Sequence, residues 1–154
     1  MASTLKPTTF QIKIKETHVV NGIRTESDNF YRIDKVTNVD RRVVTVPNTT
    51  SIDLINVNGV NPGAGTFPSS SMKYGRITNL DDKYSLAVNF TSSKGSDGRE
   101  SYWTMECLPT SSLMFSSPNI SGSNFIGSFD QDVEFISVYA ISSSIDVEYV
   151  IVNA

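Results

Sequence analysis

The sequence predicts an all-β protein, a single antiparallel β-sandwich of about eight to ten strands spanning residues 1–154. Three observations carry this. The apolar residues are mainly branched at Cβ, 15 Val and 13 Ile against 6 Leu and 5 Ala, and such side chains disfavour helix and suit a pleated surface. Ser, Thr and Asn together number 48, which serves turns and solvated strand faces. No window sustains a 3.6-residue apolar period for more than about two turns. The length suffices for one domain with a real core, and no linker, heptad or repeat divides it.

The first element is a hairpin. Residues Phe10 to Glu16 alternate apolar and polar, and Asn21-Gly22 is a strong two-residue turn signal. Such a turn fixes the register, with paired residue numbers summing to 43. Phe10 then faces Ile33, Ile12 faces Tyr31, Val20 faces Ile23, and Lys15 meets Asp28 across the other face. Glu16, His18, Thr25 and Ser27 occupy the face that should be core. Two arrangements satisfy this. In one, residues 16–27 project beyond the sandwich and offer Val19, Val20 and Ile23 to a partner. In the other, a bulge re-aims the strand and the tip folds back onto its own core.

Strands follow at Arg41–Val46, stopped by Pro47, and at Ser51–Val57. Asn58–Ser71 holds three Gly and two Pro and reads as a long loop. A strand at Met72–Thr78 ends in the turn Asn79-Leu80-Asp81-Asp82. Tyr84, Leu86, Val88 and Phe90 alternate along the next strand. Thr91–Arg99 reads as a flexible loop; Trp103, Met105 and Cys107 then point inward up to Pro109, and a short strand lies at Ser112–Ser116. The last unit reads as a hairpin around Ser142-Ser143-Ser144, pairing Ile141 with Ile145, Tyr139 with Val147 and Phe135 with Ile151. Its other face carries Ile136, Val138, Val150 and Val152. A hairpin apolar on both faces must be covered twice, by its own sheet partners or by another subunit.

The chemistry-bearing residues are sparse. His18 is the sole histidine and lies near the hairpin tip, and the sole cysteine, Cys107, sits on the inward side of its strand. Asp130, Asp132 and Glu134 share one face of a strand and could bind calcium through oxygen ligands. No Gly-containing calcium loop surrounds them, so a solvated strand start is the plainer reading. No phosphate-binding loop occurs, and no nucleophile stands beside a base. No enzymatic activity, cofactor or metal is expected. The net charge of −3 and the lack of a basic patch beyond Arg41-Arg42, read as a turn, argue against direct nucleic-acid binding. Residues 1–99 hold all 13 Lys and Arg against 9 acids, and residues 100–154 hold 7 acids and no base. If these halves form different faces, copies would dock head to tail. No stretch approaches 18 apolar residues, so no membrane span is expected, and Met1 to Phe10 lacks the apolar region of a signal peptide.

The stretch from Arg76-Ile77-Thr78-Asn79-Leu80-Asp81-Asp82 through Leu108-Pro109 to Asp146-Val147-Glu148-Tyr149-Val150-Ile151 resembles small β-sandwich virion proteins of tailed bacteriophages and marine viruses. The resemblance covers about residues 72–152. It implies a jelly-roll-like module, made in the host cytoplasm and built into the virion in several copies. Such a module decorates or cements a capsid, or joins a tail or fibre assembly. Its partners would be itself, with a trimer favoured, and other virion proteins. The first strand is preceded by a single cation, Lys6, so a shell protein that packages genome directly through a basic arm is not expected. The alternative is a carbohydrate- or ligand-binding sandwich, such as a fibre-tip domain, with Phe67, Tyr74, Asn58 and Asn61 as candidate contacts.

Overall fold

The computed structural model describes residues 8–56, 72–92, 102–116 and 133–154. The expected loop at 58–71 lies outside these residues, as do most of the one at 91–99, Asp130, Asp132, and Phe67, Asn58 and Asn61 of the carbohydrate reading. Ten strands and no helix occur among the described residues: β1 (Thr8–Val20), β2 (Ile23–Val36), β3 (Asn38–Val46), β4 (Ile52–Asn56), β5 (Met72–Asn79), β6 (Leu86–Ser92), β7 (Tyr102–Cys107), β8 (Ser112–Phe115), β9 (Val133–Ala140) and β10 (Ile145–Asn153).

Eight of them form a sandwich of two four-stranded sheets, ordered β3-β10-β5-β8 and β4-β9-β6-β7. Renumbered from β3, the orders are 1-8-3-6 and 2-7-4-5, the double Greek key of a jelly roll. β1 and β2 form a separate two-stranded ribbon. The core lies between the four-stranded sheets, where Ile77, Leu86, Val88, Ile136, Val138, Ile145 and Ile151 are at most 1 % exposed.

The terminal pair departs from the expected hairpin. β9 pairs with β4 and β6, and β10 pairs with β3 and β5. Ser142–Ser144 therefore carries the chain from one sheet to the other instead of turning it back beside itself. The apolar content explains the choice. A strand at the centre of a sheet uses both backbone edges, and both strands take central places. On β9, Ile136, Val138 and Ala140 face the core while Tyr139 is exposed. On β10, Ile145, Val147, Tyr149 and Ile151 face the core. Its second face, Val150 and Val152, packs under Phe10, Ile12, Ile33 and Val36 from the base of the ribbon.

Smaller departures have local causes. Arg41 and Arg42 lie inside β3, not in a turn, and so point to opposite faces. Met105 has core-facing parity but is 45 % exposed because β7 is an edge strand. Bulges interrupt the β4–β9 and β6–β9 ladders and bring Leu54 beside Ile55, both buried, and Val133 inward.

One end of the sandwich is closed by Asn79, fully buried at the end of β5. Its amide Nδ2 donates to the carbonyls of Tyr84 at 2.8 Å, Cys107 at 3.2 Å and Leu108 at 3.3 Å, while Oδ1 accepts from the Asp81 N–H at 3.0 Å. Asp81 in turn accepts from the N–H groups of Tyr84 and Lys83, which hold its carboxyl below the ordinary value. The turns Asn79–Asp82 and Leu108–Ser111 thus meet through one buried amide. Thr110 occupies positive φ, +56°, after Pro109, the position a type II turn usually gives to glycine.

Candidate functional site

The ribbon obeys its expected register: Phe10 pairs with Ile33, Ile12 with Tyr31, Lys15 with Asp28, and Val20 with Ile23. Asn21 and Gly22 both take positive φ, 50° and 78°, the two-residue type I′ turn whose twist matches that of the strands it joins. Every residue from 13 to 32 is exposed, so both ribbon faces lie open beyond the base. At about 3.3 Å per residue, positions 13–20 alone extend roughly 26 Å.

The two faces differ. One carries an ion-pair ladder. Lys13 reaches Asp28 at 3.1 Å and Lys15 reaches Glu26 at 3.3 Å, while Arg24 also pairs with Glu26 and Arg32 with Asp34. The lysines reach diagonal partners across the twisted ribbon, although Lys15 stands opposite Asp28 in the ladder. Exposed pairs of this kind contribute little. The other face runs from Ile14 through Glu16 and His18 to the tip. At the tip Val20 and Ile23 of this face are 59 and 70 % exposed and Val19 of the ion-paired face 63 %. Further down β2, Tyr31 stands open on this face and Phe30 on the ion-paired one.

Of the residues proposed from sequence as contacts, Val19, Val20 and Ile23 come together at this tip. The other four do not join them. Ile136 and Val138 are core residues, and Val150 and Val152 lie beneath the ribbon base. Of the two covers the sequence allows for the second apolar face of β10, the chain itself supplies one. His18 is exposed on the ribbon. Cys107 is buried, its Sγ 3.4 Å from the Ser111 carbonyl oxygen. Tyr74 is also buried, packed on Phe10 with ring centroids 5.8 Å apart, and burial raises its hydroxyl above the ordinary value. No cluster of three His, Cys, Asp or Glu suited to a metal ion occurs among the described residues.

A polar network unmarked by any sequence motif lies on the outer face of the β3–β10–β5 sheet. Glu148, 7 % exposed, accepts at Oε2 from Nε and Nη2 of Arg41, at 2.8 and 2.5 Å, and at Oε1 from Nη2 of Arg76. Burial alone would raise its carboxyl, but the hydrogen bonds and charge of Arg41, with those of Arg76, outweigh it and hold Glu148 below its ordinary value. Arg76 Nε is buried and has no acceptor. A cleft of about 530 Å³ opens between this network and the ribbon base. The one hint in the sequence is Glu148, an acid within the otherwise apolar run Val147–Val152, and alternation does not reveal its partners.

Comparison with protein-family models, with curated proteins and with solved structures finds no match to this chain.

Proposed function

We propose that this chain is a non-enzymatic structural component of a virion, a capsid decoration or cement protein or another minor component, present in several copies that engage one another through the β1–β2 ribbon. The ribbon carries the reading. A lone two-stranded hairpin is marginal in water, yet this one is long, regular in register and apolar at its tip. Such a surface is ordered by what covers it. The jelly-roll strand order accords with the reading, since capsid proteins use it, but so do lectin domains and cupins. Fold therefore supports the class and does not choose within it. Solution mass by light scattering over a micromolar concentration series tests the proposal. A closed oligomer is expected, a trimer favoured, and Val20→Asp should lower its mass while the sandwich still unfolds cooperatively. A monomer at every concentration contradicts self-assembly through the ribbon.

One feature favours the ligand-binding alternative. A shallow trough of about 390 Å³ on the outer face of the β4–β9–β6–β7 sheet is lined by Thr49, Ser51, Asn89, Thr104, Ser137 and Tyr139 among others, all uncharged. Hydroxyls, an amide and a phenol suit a neutral saccharide. Specific glycan-array binding that Asn89→Ala abolishes would favour that reading over the scaffold.

A further inference from the structure

We infer that the cleft under the ribbon base binds a small organic carboxylate carrying a flat apolar body. Its walls are Phe10 and Ile12 from the ribbon and Val39, Tyr74 and Val150 from the sheet, and its cations are Arg41 and Arg76, with Lys13 at the rim on the ion-paired face of the ribbon. The charge is unbalanced. Both guanidinium groups share the single carboxylate of Glu148, whose two oxygens are already engaged. Two guanidinium cations against one carboxylate leave a formal +1, and Lys13 at the rim is balanced by its partner Asp28 at 3.1 Å. Like charges beside apolar walls focus a positive potential on the space between them.

The shape narrows the ligand class. A guanidinium fork matches a carboxylate in its plane and outperforms a point charge in such contacts. Arg41, with 70 % of its side chain exposed despite its bonds to Glu148, can present donors to the cleft. The aromatic and branched walls offer burial that an inorganic anion cannot use, while a flat hydrocarbon ring can. A simple ion pair would need neither the second guanidinium nor a cleft. This inference does not depend on the assembly role of the ribbon tip.

The test uses the full chain and amide NMR spectra titrated with 2-naphthoate, with naphthalene-2-carboxamide and inorganic phosphate as controls. The carboxylate should shift the amides of residues such as Ile12, Lys13, Arg41 and Tyr74 and saturate at around 1 mM, as expected for a ligand of this size. The carboxamide should bind about tenfold more weakly, because it lacks charge-assisted bonds. Lys13→Gln, which leaves Glu148 fully paired, should weaken the carboxylate roughly threefold. Arg41→Lys, which keeps a charge opposite Glu148, should weaken it about tenfold. Equal binding of carboxylate and carboxamide, or equal binding of phosphate, would overturn the inference. So would shifts scattered away from the cleft, or no saturation. Concentration-dependent shifts of the same amides without any probe would put an acidic side chain of a second copy there instead, and would also overturn it.

Discussion

The ribbon and strand β10 are both antiparallel β-structure, yet opposite forces hold them. β10 pairs on both edges and is buried on both faces, from Ile145 through Asn153 apart from Asp146. Each fully buried aliphatic side chain there contributes about 1.5–3 kcal/mol of transfer free energy. Each ribbon strand pairs along one edge only and, beyond the base, the ribbon has no buried face. What holds it are ladder hydrogen bonds, cross-strand pairs worth a few tenths of a kcal/mol to about 1 kcal/mol each, and an Asn-Gly turn. The contrast teaches that a strand's geometry can be specified locally while its stability is not. A ribbon so well specified and so poorly covered is the surface on which the proposed assembly rests.

Substitutions should respect this boundary. The largest effect is expected in β10: Ile151→Ala leaves a cavity in the core and should cost about 2–5 kcal/mol in urea unfolding. A cost near that of an exposed site would mean the two sheets do not pack as described. Next comes Asn79→Ala, which removes the amide donor from the Tyr84 and Cys107 carbonyls, while that of Leu108 keeps the N–H and hydroxyl of Ser111. A loss of about 1–3 kcal/mol is expected, with β6 and β7 loosened together in hydrogen exchange.

Acid should act on the sandwich through Glu148. Its carboxyl lies below the ordinary value of 4.5 in the folded chain. The stability it carries is therefore full above about pH 4.5 and is lost as pH falls through the lower folded value. Glu148→Gln should flatten this part of the acid limb, and an unchanged limb would show that Arg41 and Arg76 do not bind the carboxylate in solution. The smallest effect belongs to the ribbon. Gly22 holds φ +78° with open space around it, so Gly22→Ala strains only the turn, by about 1 kcal/mol. It should fray the tip amides and leave the sandwich's unfolding midpoint in place. A shifted midpoint would join ribbon and sandwich into one cooperative unit.

How much was legible follows the same boundary. The ribbon's register could be read because Asn21-Gly22 and the cross-strand matches are local. Strand positions could be read wherever alternation was clean, as from Leu86 to Phe90. The partners of β9 and β10 could not. Ser142-Ser143-Ser144 suits a hairpin and a crossing between sheets equally well, and the choice rests on contacts with β3–β6 spread along the chain. Counting apolar residues on both faces did show that these strands needed covering twice. It could not show that the ribbon base supplies the second cover. Glu148 escaped for the same reason, since Arg41 and Arg76 stand 107 and 72 positions away.

The most direct test of this account is amide hydrogen exchange of residues 13–32 measured at low and high protein concentration. Fast exchange of the ribbon is expected in the dilute chain, with β10 well protected throughout, and ribbon protection should rise with assembly. Strong ribbon protection at every concentration, in a chain shown to be monomeric, would contradict it and make the ribbon a self-sufficient part of the fold.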